Sequence, residues 1–112
     1  MSRGGRPKAQ QDRAALATAA LDAVKAVGAA TQAYGVACHS DASPIEVEQK
    51  FEAAAAAIRV WEKVDARYKA ARRLAGPAHD DYIAAIDSTS VDIEIARRER
   101  RLWNTRRGIT GG

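Results

Sequence analysis

The arginines gathered near the C-terminus, Arg97, Arg98, Arg100, Arg101, Arg106 and Arg107, are the side chains best placed by type and spacing to do chemistry. That chemistry is charge neutralisation: a guanidinium group holds phosphate or carboxylate through paired hydrogen bonds and stays charged at any physiological pH. Trp103 stands among them, with a ring on which a base or an arginine plane can stack, or which can anchor a core or interface. Part of this charge has a use inside the chain, since cations at a helix C-terminus complement its dipole. A second basic cluster, Arg3, Arg6 and Lys8, opens the chain. The expected contacts with an anionic partner, DNA in the first place, are therefore Arg3, Arg6, Lys8, Arg97, Arg98, Arg100 and Trp103.

Catalytic chemistry has weaker candidates. Cys38-His39-Ser40-Asp41 sets a thiol, an imidazole and a carboxylate in a row. Sequence neighbours do not converge on one reacting atom, however, and a triad is a matter of geometry. Asp80-Asp81 after His79 is accounted for by the helix dipole, which favours acids at an N-terminus. One cysteine and two histidines exclude an intrachain disulfide and leave no complete zinc site of a common type. The expectation is a non-enzymatic protein with no cofactor, no metal and no small-molecule substrate.

Helices must carry these residues. The 112 residues include only 8 glycines and 3 prolines, and about a quarter are alanine, which points to one all-α domain with a thin core. No stretch approaches the roughly 20 apolar residues that cross a bilayer. No apolar run follows the basic N-terminus, so a secretory signal is not expected, and the expected location is cytoplasmic. A net charge of +4 permits a polyanionic partner without requiring one.

Residues 1–11, with Gly4, Gly5 and Pro7, read as a basic flexible arm. A first helix is expected over about 12–34, striped by Leu16, Ala20, Val24, Val27, Thr31 and Tyr34. Gly28 lies within it, where a neighbouring helix can approach closely. Residues 35–42 are the least patterned internal stretch and read as a loop, into which the first helix can extend by a turn. Ser43, Pro44 and Glu46 form a capping box that opens a second helix, about 44–75. Its stripe is Val47, Phe51, Ala54, Ile58, Trp61 and Tyr68, with Asp65 breaking the repeat, and Gly76-Pro77 ends it. A third helix, about 78–107, carries Tyr82, Ile86, Val91, Ile95, Leu102 and Trp103, with a kink expected near Ser88 to Ser90. Residues 108–112 are a tail.

The second and third helices are each acidic at the start and basic at the end. An antiparallel hairpin in which facing residue numbers add to about 153 sets Arg59 against Glu94 and Glu52 against Arg101. It also sets Arg72 and Arg73 against Asp81 and Asp80, Phe51 against Leu102, and Ile58 against Ile95. Arg97, Arg98 and Arg100 then face the alanine run Ala53–Ala57 and find no acid opposite. The expected architecture is this hairpin plus the N-terminal helix, as a three-helix bundle or an oligomeric helical assembly. Val24, Val27, Phe51, Ile58, Trp61, Tyr68, Ile95 and Leu102 are its core or subunit-interface residues. A thin core favours further burial against other copies, so a homo-oligomer or larger protein assembly is expected.

The opening Arg3-Gly4-Gly5-Arg6-Pro7-Lys8 resembles the Arg-Gly-Arg-Pro core of minor-groove AT-hook peptides, with one extra glycine. It is also similar to the Gly-Arg-Pro-rich openings of bacteriophage small terminase and related DNA-packaging proteins. The likeness covers about six residues, and no helix-turn-helix domain follows as it does in terminases. It implies a phage or mobile-element protein, such as a virion head, connector or DNA-packaging component, located in the virion and touching nucleic acid through its arginine-rich ends. The alternative is a small helical regulator that binds a host or cellular protein without nucleic acid.

Overall fold

The computed structural model describes residues 8–71 and 77–106, with side chains over 15–70 and 79–106. Three helices follow one another: α1 (Lys8–Cys38), α2 (Pro44–Ala71) and α3 (Pro77–Arg106). They run up, down and up, and the all-α three-helix class read from the sequence is the fold. The arm at 1–7, the end of the second helix with Arg72, Arg73 and Gly76, and residues 107–112 lie outside the described residues.

The first helix starts about a turn earlier than the sequence suggested, and it takes the extra turn beyond Tyr34 that the sequence allowed. Lys8 to Ala15 are mostly good helix formers, so nothing local stops α1 at Asp12. At the other end Gly35 does not break it. Tyr34, Ala37 and Cys38 bury themselves with Val47 of α2, which outweighs the roughly 1 kcal/mol that glycine costs in a helix. The loop shrinks to the few residues before Ser43. Ser43 caps α2 as expected: its Oγ accepts from Glu46 N at 3.2 Å, and its carbonyl accepts from Val47 N at 3.0 Å.

The helix α1 sits at the centre. Ala17, Ala20, Val24, Val27, Thr31, Tyr34 and Cys38 alternate three- and four-residue steps, and all are buried. This is the seam of a coiled-coil-like packing. It serves two neighbours at once, because α1 packs against both α2 and α3 while those two make no close backbone approach to each other. The hairpin is therefore not itself the core, as the sequence reading had it; the two arms close on α1 from either side. Thr31 is satisfied within its own helix by Val27 O and Gly28 O. Gly28 faces α3, where an added Cβ would lie 3.4 Å from Asp92 Oδ2 and 3.5 Å from Thr89 Oγ1, leaving room for a methyl group and no more.

The helix α3 runs unbroken through Ser88-Thr89-Ser90, without the expected kink. Tyr82, Thr89, Ala96 and Trp103, seven residues apart, keep one face toward the other helices. Thr89 donates to Val24 O of α1 at 3.3 Å, and Gln32 Nε2 donates to Asp92 at 3.3 Å. The low helix propensity of this stretch is thus offset by tertiary contacts.

Of the expected core or interface residues, Val24 and Val27 are wholly buried and Tyr68 nearly so. Phe51, Ile58 and Trp61 are half-buried. Ile95 and Leu102 are not in the core: they are 51% and 45% exposed, on the outside of α3. The pairings predicted for them fail because α1, not α2, supplies the surface α3 packs on. Most of the observed contacts join an α2 residue to an α3 residue two to six residues earlier than that alignment, up to nearly two turns at about 3.6 residues each. Phe51 and Glu48 meet Arg100, Asp65 meets Tyr82, and Tyr68 meets His79. Among the described residues Arg59 has no ion pair, and Glu94 is taken by Arg97 of its own helix at 2.9 Å.

Candidate functional site at the arginine-rich end

Where the C-terminal half of α3 passes the start of α2, two layers form. The inner one is a polar and aromatic cluster. Glu48 of α2 accepts from Arg100 at 2.8 Å and from Trp103 Nε1 at 3.1 Å, both on Oε2. The Arg100 guanidinium lies 4.0 Å above the Phe51 ring, and Phe51 in turn tilts against Tyr34, centroids 5.4 Å apart. Burial works against the charge of Arg100, but Glu48 and Tyr34 outweigh it and hold the pKa above its ordinary value. Arg100 and Trp103 are therefore committed within the chain, which corrects the expectation that Arg100 lacks an acidic partner. The sequence alignment offered Glu52 to this cluster; Glu48, one turn earlier, is the residue that reaches it.

Beneath these lies Tyr34, 0% exposed, whose hydroxyl has no hydrogen-bond partner. Burial first, and then Cys38, pushes its pKa up to about 12. Cys38 is buried as well, and desolvation raises its thiol pKa. A raised thiol is the reverse of an activated nucleophile. His39 turns the other way: its Nε2 lies 2.7 Å from Glu99 Oε2. That oxygen is buried, and the His39 ring is the group beside it. Cys38, His39 and Asp41 do not converge on one point.

All three tyrosines are shifted upward. Burial, then the bond to Asp65, raises Tyr82; burial, then the charge of Asp80, raises Tyr68. An unfolded tyrosine ionises near pH 10.0, folded Tyr34 only near 12. Between those values the native state keeps protons the unfolded state has lost, so stability falls as pH rises through that window. Following tyrosinate absorbance and helical circular dichroism together should show ionisation delayed beyond pH 10 and coincident with loss of helix. Complete tyrosine ionisation near pH 10 with the helices intact would contradict the burial described here.

The outer layer is solvent-facing. Arg97 and Glu94 form an exposed i,i+3 pair, worth well under about 1 kcal/mol. Arg98, Arg101 and Arg106 are exposed and have no acidic partner among the described residues. Arg3 and Arg6 lie outside the described residues, and Lys8 begins α1. Beside Arg98 the structure places Val91, Ile95 and Leu102, 59%, 51% and 45% exposed. Ile95 shares a shallow groove of about 530 Å³ with Val36 of α1. A second groove, about 350 Å³, opens between α2 and α3 over Phe51, Ala54, Ala55, Ile58 and Ile93, with Arg97, Arg100 and Arg101 at its rim. Ala54 and Ala55 of the alanine run line this opening.

Sequence reasoning found the arginines but passed over Val36 and the role of Val91. The spacing of 91, 95, 98 and 102 was the available signal, being a helical stripe in its own right. The described residues hold no group of three or more His, Cys, Asp or Glu side chains able to bind a metal, and no helix long and apolar enough to cross a membrane. No family model, no curated protein and no solved structure matches this chain, and the functional reading rests on the geometry just described.

Proposed function

We propose that this chain is a non-catalytic helical assembly protein that self-associates through the outside of α3 and contacts a polyanion, nucleic acid first, through its basic groups. One observation carries the reading. The outer face of α3 presents Val91, Ile95 and Leu102 around an unpaired Arg98, and nothing else in the described chain covers it. A face both apolar and cationic costs solubility in a lone monomer and is accounted for by partners. The basic groups for the polyanion are Arg3, Arg6 and Lys8 together with Arg97 and Arg98. A bacteriophage head, connector or DNA-packaging assembly is the setting that the N-terminal resemblance implies.

Fluorescence anisotropy with a random-sequence DNA duplex tests the polyanion half. Affinity should fall steeply with salt, and each phosphate contact removed should reduce the log–log salt slope by about one. Arg3→Ala/Arg6→Ala/Lys8→Ala and Arg97→Ala/Arg98→Ala should each weaken binding on any sequence. Absence of binding even at low salt would remove nucleic acid from the reading. It would then favour a small helical regulator docking a protein partner, for which the open apolar groove between α2 and α3 is the supporting feature.

A further inference from the structure

We infer that the partner of the outer α3 face is a second copy of the same face, laid antiparallel across a two-fold axis. This inference rests on the proposed self-association and specifies its geometry. Val91, Ile95, Arg98 and Leu102 follow one another at steps of four, three and four residues, the spacing of a two-helix seam. Such a stripe is served by another helix, and the charge along α3 says which one. The face is acidic toward its start, with Asp87 and Glu94, and basic toward its end, with Arg98, Arg101 and Arg106. A parallel copy would set acids beside acids and Arg98 beside Arg98. An antiparallel copy sets each acidic half on a basic half, so the face is complementary to itself, as a two-fold interface requires.

The seam fixes the register. Val91 meets Leu102 of the second copy, and Ile95 meets the alkyl stem of Arg98 of the second copy. On the flank of the seam Glu94 comes within reach of Arg101 of the second copy. Each contact occurs twice by symmetry. Glu94 is free to exchange partners, because its pair with Arg97 is exposed on both sides. Val36, 69% exposed on α1 beside Ile95, widens the apolar patch. In the dimer Arg101 is occupied, which leaves the N-terminal basic residues and Arg97 as the principal polyanion contacts.

Sedimentation equilibrium of the full chain over a wide concentration range is the first test, with a dimer expected. Ile95→Lys should raise the dimer dissociation constant at least about tenfold, since it sets a second cation against Arg98 of the second copy in the seam. Ile95 is half-exposed, so the variant should keep its helical circular dichroism and melting temperature. Arg101→Glu should weaken the dimer by about tenfold, and Glu94→Arg/Arg101→Glu should recover most of that loss. Orientation is read by oxidation of cysteine variants. A mixture of Val91→Cys and Leu102→Cys chains should form a disulfide-linked heterodimer that neither chain forms alone. A dimer that persists unchanged in Ile95→Lys overturns this interface and leaves self-association standing. A monomer at every concentration overturns both, while DNA binding by that monomer would keep the polyanion half. Efficient self-crosslinking of Val91→Cys chains alone, or of Leu102→Cys chains alone, would mean a parallel seam and sink the antiparallel arrangement.

Discussion

Tyr34→Ala should cost about 3–5 kcal/mol of stability, the range for deleting a fully buried aromatic side chain. A small domain has only about 5–15 kcal/mol in all, so this one change should bring the protein close to unfolding at room temperature. Tyr34 is 0% exposed and ties all three helices together, lying among Ala37, Cys38 and Val47 and against Phe51, with Ala96 and Trp103 packed on the same cluster. Tyr34→Phe separates the ring from the hydroxyl. The hydroxyl is buried without a hydrogen-bond partner, so its removal should be neutral or stabilising by up to about 1 kcal/mol. Urea unfolding followed by far-ultraviolet circular dichroism measures both. A phenylalanine variant that loses more than about 1 kcal/mol would mean that the hydroxyl is bonded, with Arg100 or Cys38 the nearest groups able to do it.

The same deletion at Tyr82 should have the opposite outcome. Tyr82, 1% exposed, donates to Asp65 and accepts from Trp61 Nε1 at 3.0 Å. Its ring meets Tyr68 edge-on, centroids 4.7 Å apart, and Tyr68 is bonded to His79 Nδ1 at 2.5 Å. Tyr82→Phe strands a half-buried carboxylate and an indole N–H together, and should cost about 1–3 kcal/mol. Asp65 keeps Lys69 at 2.9 Å, which holds the loss to that range. Adding Asp65→Leu removes the stranded acceptor, so the double variant should be less destabilised than the two single changes summed. Strict additivity in a double-mutant cycle would show that the Tyr82–Asp65 bond contributes nothing. This cluster also explains why an aspartate interrupts the apolar stripe of α2: Asp65 is the polar joint between α2 and α3 at the end remote from the arginines.

The two joints show how α2 and α3 are held without touching as backbones. At one end Asp65, Tyr82 and Trp61 bridge the gap, and at the other Glu48, Arg100 and Trp103 do so. Between them the alanines leave the space open. Buried polar joints of this kind fix which residues face each other more strictly than apolar contact, because a shifted register would leave each group unpaired.

The sequence by itself determined the helices. Local forces suffice for that: the Ser43 cap, the apolar repeat of α1 from Ala20 to Tyr34, and the general absence of glycine and proline between turns each act within a few residues. The sequence also marked the arginine-rich end as the cationic one, since charge is a property of composition and position. Only the tertiary structure decided which partner each charge takes and which apolar residues stay outside. Acids and bases recur along α2 and α3 at helical intervals, so several registers satisfy them nearly as well, and Glu48 or Glu52 serves equally on paper. The choice was made by α1, whose continuous seam gave α3 a better surface than α2 offered. Once α3 turned Thr89 and Ala96 to the interior, Ile95, Leu102 and Arg98 had to face outward, because one helix cannot turn all its sides to the same neighbour.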